Sequence, residues 1–270
     1  MKKMLITDLD RTLLRDDNSV SAENYEALKR FRKKGNLIAV ATGRNIFSVN
    51  QVLKDDFPID FLIFSSGVGI MNWAKKKIIY ENHLNENEIK SVIKILISHK
   101  VDFMVHDVVP YNHKFFFWKW ENFNPDFERR LKLYEKHCQF LKKPQDIKKA
   151  SQFIVILSED SITKFNEIKS EIKFLKVIRA TSPLDHKSIW LEIFPRTVSK
   201  GKAAKWLCNF LLINKKNTIG IGNDYNDIDL LNWTTRSYVV ENAPEELKRK
   251  YTVTDSNEKN GFAKVVMEII

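Results

Sequence analysis

The chain has 270 residues, of which 43% are hydrophobic and 29% charged, with a formal net charge of +11. That length can bury a substantial core in one or two domains, and the composition excludes a disordered tail, a collagen-like chain and a coiled coil. No apolar run approaches the roughly 18 residues of a membrane span, and residues 1–6 meet Asp8 and Asp10 too soon for a signal peptide.

Residues 3–7 are a short apolar run that stops at Asp8, the pattern of a buried parallel strand. Ser21 then caps a helix with apolar positions Ala22, Tyr25, Leu28 and Phe31, and Gly35 ends it. A second strand over 37–41 breaks off at Thr42, Gly43 and Arg44. Ile46, Val49 and Leu53 mark a helical face, residues 61–64 a third strand, and 65–67 a turn. A hairpin follows over 68–80, reversing across the three lysines 75–77.

Between residues 84 and 187 the apolar segments fall at 89–97, 101–105, 115–120, 153–157, 162–172 and 177–180, and read as an inserted α+β unit. The tail resumes strand–helix alternation. A helix is expected over 199–212, a strand over 218–221 ending at Gly222, Asn223 and Asp224, a helix over 228–233 and a strand over 237–240. This predicts an α/β protein with a Rossmann-like, doubly wound parallel sheet, its core made of residues 1–83 and 188–270.

Three polar clusters, at Asp8, Thr42 and Asn223, each follow the end of an expected strand. Open α/β sheets bind ligands along that edge. Asp8 and Asp10 place two carboxylates two residues apart. Thr42 offers a hydroxyl and backbone amides for a phosphate oxygen, and Lys200, at a helix start beside Gly201, offers a positive charge. Asn223, Asp224 and Asp227 complete an oxygen-rich set suited to Mg²⁺, which takes few protein oxygens plus water.

Four stretches in order, Asp8-Leu9-Asp10-Arg11-Thr12-Leu13, Ala41-Thr42-Gly43-Arg44, Ser199-Lys200-Gly201 and Gly222-Asn223-Asp224-Tyr225-Asn226-Asp227, resemble the motifs of the haloacid dehalogenase superfamily. An insertion between the second and third resembles the Cof-type branch, phosphatases with a large C2 cap. Sucrose-phosphate phosphatases and phosphomannomutases share that cap position. Asn242-Ala243, Glu245-Glu246, Thr254 and Gly261-Phe262-Ala263 are similar to the branch's C-terminal pattern.

The resemblance implies covalent phosphoryl transfer. Asp8 would be the nucleophile and Asp10 the acid and base, while Lys200 would bind the transferring group and keep Asp8 ionised. Thr42, Gly43, Lys200 and Asn226 would hold phosphate. Mg²⁺ would lie among Asp8, Asp10, Asn223, Asp224 and Asp227. Arg44 and, before the return to the core, Arg179, Asp185, His186 and Lys187 are candidates for substrate contact. Two positions depart from the pattern: Asn223 replaces an Asp, and Ser66 an Asn that often precedes Gly67.

The expected partner is a small phosphorylated metabolite such as a sugar phosphate. Nucleic acid is not expected, because the charge divides into +5 over residues 84–188 and +6 over the rest, with no long basic run. Cys138 and Cys208, the only cysteines, form no disulfide framework or CxxC pair, which fits a reduced, cytoplasmic setting. No membrane partner is expected, and the chain would be a monomer or small homo-oligomer. A phosphomutase is the competing enzyme, and a catalytically silent sugar-phosphate-binding module the competing non-enzyme. The aromatic residues Phe115, Phe116, Phe117, Trp118 and Trp120 alternate as a packed strand would, and His106, His113 and His186 show no metal-ligand spacing.

Overall fold

Met4–Thr7, every residue of it buried, lies in the middle of an eight-stranded sheet. The computed structural model describes residues 2–120, 123–143, 146–182 and 184–270. Across the sheet the strands run Thr252–Thr254, Arg236–Val240, Thr218–Gly222, Met4–Thr7, Leu37–Ala41, Phe61–Phe64, Gly69–Asn72 and Lys77–Glu81. The first six are mutually parallel; Gly69–Asn72 runs antiparallel to them, and Lys77–Glu81 runs antiparallel to Gly69–Asn72. Both faces of a parallel sheet are covered, so its inner strands carry continuous apolar runs such as Leu37-Ile38-Ala39-Val40-Ala41.

This sheet belongs to a unit made of Met1–Glu81 and Ser199–Ile270. The Lys200–Phe210 helix buries Ala203, Ala204, Leu207 and Cys208 against Met4, Ile6, Ala39, Ala41 and Ile63. The Ala22–Lys33 helix packs against Gly261–Ile269. Ser21 caps the former as expected, its hydroxyl accepting the Asn24 N–H; such a cap contributes about 1 kcal/mol. The expected 46–53 helix is only one turn, Ile46–Val49. Among the described residues no helix is long and apolar enough to cross a membrane.

Asn82–Val198 forms the second unit. Its six-stranded sheet runs Lys176–Thr181, Ile189–Phe194, Gln152–Leu157, Phe103–His106, Phe115–Trp118 and Cys138–Phe140, antiparallel except for the last pair. Period-two alternation sends Phe103, Val105, Phe153, Val155 and Leu191 into one apolar cluster with Ile89, Val92 and Ile168 from the Glu86–Ser98 and Ile162–Glu171 helices. Met104, Ile154, Ile156 and Trp190 face the other way, with Phe127 and Tyr134.

One sequence boundary needs correction. The core was expected to resume at residue 188, but Ile189–Phe194 pairs on both sides within the second sheet, and the return falls at Ser199. Its alternating Ile189, Leu191 and Ile193 meet the helical cluster, which holds this strand in the second unit.

Candidate active site

Three loops leave the carboxyl ends of adjacent parallel strands: 8–14, 42–45 and 223–227. The chain winds outward in opposite directions from Met4–Thr7 and Thr218–Gly222, so the switch point of the sheet falls between them. Ligands of open α/β sheets sit in that crevice.

The first loop is a tight plug. The Leu9 carbonyl accepts the N–H groups of Leu13 and Leu14 at 3.1 and 2.9 Å, and the side chains of Leu9, Leu13 and Leu14 are fully buried. Three side-chain amides tie it down from outside. Asn24 donates to the Leu13 carbonyl, Asn242 to that of Arg11, and Asn257 to that of Leu14. Sequence reading missed Asn24 and Asn257, since an isolated asparagine carries no periodic signal. Asn242 was visible only within the C-terminal pattern.

At the centre Lys200 has no exposed surface. Its ammonium donates to Asp8 Oδ1 at 2.6 Å, Asp227 Oδ1 at 2.7 Å and Asn226 Oδ1 at 3.2 Å, which uses all three of its protons. Glycines make this approach possible. A Cβ on Gly201 would stand 2.2 Å from the Asp229 carbonyl oxygen, and one on Gly222 would stand 2.7 Å from the Asp227 side chain.

Burial would lower the lysine's proton affinity, but Asp227 and Asp8 outweigh it and raise its pKa, so the ammonium stays charged. Burial pushes the Asp8 carboxyl up most, Lys200 pulls it down, and Asp227 and Asp10 add repulsion; the balance lies above the usual carboxylate range. Among the described residues Asp8 Oδ2 has no hydrogen-bond partner.

The fourth motif divides its labour. Asp227 Oδ2 accepts the N–H groups of Asn223 and Asp224 at 2.9 and 3.1 Å, while Oδ1 holds Lys200. Asp227 thus serves as a counter-ion to Lys200 and a clamp on its loop. Asp224 accepts the Tyr225 N–H and caps the short turn, which commits its carboxylate locally. Asn223 is half-buried, and its carboxamide has no partner among the described residues.

Thr42 differs in part from expectation. Its N–H is spent on the Ile63 carbonyl, so the hydroxyl is what it offers the site. That hydroxyl accepts the Arg44 N–H at 3.1 Å and lies 3.5 Å from Asp10 Oδ2. The Gly43 N–H has no partner among the described residues. Ser66 donates its N–H to the Thr42 carbonyl, and Ser65 to that of Arg44, which fixes the second loop. Arg44, a substrate candidate by sequence, is instead taken up by Asp10, Asn18 and Ser48.

Arg179, Asp185, His186 and Lys187 lie in the second unit. Arg179 alternates with Ile178 and Ala180, on the same face of its strand as Val177 and the helical cluster. Asp185 closes the turn before Ile189–Phe194, accepting from the Lys187 and Ser188 N–H groups and the Ser188 hydroxyl. Burial opposes its ionisation, but those bonds prevail and hold its pKa below the usual carboxylate value.

Residues 5–266 match the haloacid dehalogenase-like hydrolase family. The chain belongs to that family. It is similar, at 28% identity over 99% of its length and 98% of the relative's, to the 5-amino-6-(5-phospho-D-ribitylamino)uracil phosphatase YwtE of Bacillus subtilis. A putative phosphatase of the same organism, YxeH, is 23% identical over 100% of this chain and 99% of its own. Among solved structures, the subclass IIB sugar phosphatase BT4131 superposes with a TM-score of 0.78 at 19% identity, covering 99% of both chains. The phosphatase BT1666 of Bacteroides thetaiotaomicron gives 0.80 at 19%, over 99% of this chain and 95% of its own. The chain is thus an enzyme, a phosphoric monoester hydrolase of this family.

Proposed function

We propose that the enzyme is a Mg²⁺-dependent phosphatase of a small sugar or sugar-alcohol phosphate that works through an aspartyl-phosphate on Asp8. The observation that carries this reading is the divided Asp8 carboxylate: Oδ1 is anchored on buried Lys200, and Oδ2 is left without a partner among the described residues. A binding module has no need of a carboxylate prepared in this way. The ribityl phosphate in the name of the Bacillus subtilis relative, and the sugar phosphatase among the structural neighbours, support the substrate class.

Asp8 Oδ2 attacks phosphorus as the bond to the leaving oxygen breaks, and Asp10 gives that oxygen a proton. Water then attacks the acyl-phosphate, Asp10 takes its proton, and inorganic phosphate leaves with the Asp8 carboxylate restored. The Thr42 hydroxyl, the Gly43 N–H and the Asn226 amide supply donors for the phosphoryl oxygens, and Lys200 supplies a positive charge beside them.

The side chains suit a cation. Asp8, Asp10 and Asp227 present three carboxylates to two positive groups, Lys200 and Arg44. Among the described residues no three His, Cys, Asp or Glu side chains cluster as a metal site, so amide, carbonyl and water oxygens must complete any shell. Asp8 Oδ2 and the Asn223 amide oxygen are the first candidates to hold it, and Asp10, Asp224 and Asp227 keep lone pairs able to join them. Mg²⁺ would neutralise the repulsion between carboxylate and phosphate dianion.

Selection among leaving groups is assigned to the second unit, with Arg179, His186 and Lys187 as candidates and Asp185 setting the turn that carries them. Phosphate release from a panel of sugar and polyol phosphates tests the reading. Turnover should need Mg²⁺, stop in excess EDTA and vanish in Asp8→Asn. Release by Asp8→Asn at a near-normal rate would refute the covalent route.

A further inference from the structure

Arg44 makes the most extensive side-chain contact in the site outside the lysine centre. Its Nε donates to Asp10 Oδ1 at 2.8 Å and to Oδ2 at 3.0 Å, and its Nη2 donates to Oδ1 at 2.6 Å. The guanidinium is itself held. Nη2 also reaches Asn18 Oδ1 at 2.8 Å, and Nη1 reaches the Ser48 hydroxyl and carbonyl at 3.2 and 3.4 Å. Every nitrogen of the fork is engaged. The side chains of Arg44 and Asp10 are 19% and 32% exposed, so the pair is only partly screened by water.

The bonds divide the two Asp10 oxygens unequally. Oδ1 receives two of the three arginine contacts, including the shortest. Oδ2 lies beside the Thr42 hydroxyl, 3.5 Å away, where the proposed phosphoryl group would be held. A carboxylate two residues beyond a strand end can otherwise turn about two side-chain torsions. An arginine braced on Asn18 and Ser48 removes that freedom, because its planar fork fits a carboxylate edge in one orientation.

We infer that Arg44 is a positioning residue, holding Asp10 by Oδ1 so that Oδ2 faces the phosphoryl site and exchanges the proton. This rests on the phosphatase reading given above. In the first step the proton moves from Asp10 Oδ2 to the leaving oxygen as the phosphorus–oxygen bond breaks. In the second it moves from water to Oδ2 as water attacks the acyl-phosphate. Arg44 neither gives nor takes a proton in either step.

Leaving groups separate this role from a merely structural one. An alkyl phosphate needs proton donation to its departing oxygen, whereas p-nitrophenolate departs without it. Positioned acid–base groups contribute roughly 10²–10⁴-fold, and small misplacements cost about 10²-fold. Arg44→Ala should therefore lower kcat/KM, which covers only the steps through leaving-group departure, about 30- to 100-fold on glycerol phosphate or a sugar phosphate and less than about fivefold on p-nitrophenyl phosphate. Arg44→Lys should recover only part of the loss, because an ammonium cannot fork. Adding Arg44→Ala to Asp10→Asn should cost less than about twofold more, since the two act as one unit.

A circular dichroism spectrum and urea midpoint close to those of the wild type show that each variant is folded. Equal losses of Arg44→Ala on both substrates, or full additivity with Asp10→Asn, would overturn the inference while a leaving-group-selective Asp10→Asn keeps the phosphatase reading. A wild-type enzyme without turnover, or an Asp10→Asn variant with equal kcat/KM losses on both substrates, would overturn the reading and the inference together.

Discussion

Replacing Lys200 by Met removes a charge whose contacts are fully buried. The ammonium lies 2.6 Å from one carboxylate oxygen and 2.7 Å from another, with side-chain exposures of 0% for Lys200, 6% for Asp8 and 0% for Asp227. At an effective dielectric of about 20, each contact amounts to about 6 kcal/mol of Coulomb attraction, most of it offset by the cost of burying the ions. The net loss on deleting one partner of a buried pair is about 3–5 kcal/mol, because the remaining carboxylates face each other uncompensated. Domains are stable by only about 5–15 kcal/mol, so Lys200→Met should be marginal in urea unfolding followed by circular dichroism at 25 °C. Adding Asp227→Asn should recover part of the loss by removing one of the stranded charges. The variant's kcat on any phosphate ester should fall by roughly 10³-fold, more than a single lost donor costs, since Asp8 also loses its anchor. A Lys200→Met protein within about 1 kcal/mol of wild type, or one further destabilised by Asp227→Asn, would show that the buried contacts do not carry this weight.

Asn223→Asp should bind Mg²⁺ roughly 10- to 100-fold more tightly by calorimetry, because a full negative charge replaces an amide beside Asp8. No tightening there, together with weakening in Asp224→Asn, would move the ligand to Asp224. In the second unit His106 is buried, its Nδ1 bonded to the Asn112 carbonyl oxygen, and burial with nearby Arg130 lowers its pKa to about 3. The folded protein therefore keeps His106 neutral while the unfolded chain protonates it below about pH 6.5, so stability is complete above that pH and drains away as pH falls toward 3. Between pH 7 and pH 5 the wild type should lose about 2 kcal/mol more than His106→Gln in paired urea titrations, and parallel losses would dismiss the histidine as the source.

Much of the catalytic unit was legible because its polar loops interrupt continuous apolar strands. Asp8, Thr42 and Asn223 each stand where a strand's apolar run stops, and a parallel sheet places those ends along one edge. What the side chains do there was less legible. Spacing along the chain cannot distinguish a carboxylate that binds metal from one that neutralises a lysine, and Asp227 proved to face Lys200. Arg44 read as a substrate contact because its partner, Asp10, is 34 residues away in sequence. The second unit hid more. The Pro125–Leu133 helix was missed since its buried face includes Asp126 and Arg130, where periodicity looks for apolar residues. Asp126 is satisfied by the Trp190 indole N–H, and Arg130 lies over the Trp190, Tyr134 and Phe115 rings, so tertiary partners make a polar stretch fit for burial.

The charges of the site follow one logic once each pair is assigned. Asp10 has its own cation in Arg44, and Asp227 shares Lys200 with Asp8. Asp8 and Asp227 thus each have only part of a counter-charge, and Asp8 is the one whose carboxyl is raised above the usual carboxylate range, by burial first of all. An Asp at position 223 would deepen that deficit before any cation arrived, whereas the amide found there adds an oxygen without a charge. A phosphate dianion entering beside Asp8 makes the balance worse by two units, which the fixed cations do not cover. Binding substrate and ionising the nucleophile therefore both favour a divalent cation at the same place, and each favours the other only through that cation. The protein's own contribution is to hold Lys200 and Arg44 on separate carboxylates, so that neither is drawn away when the third charge is brought in.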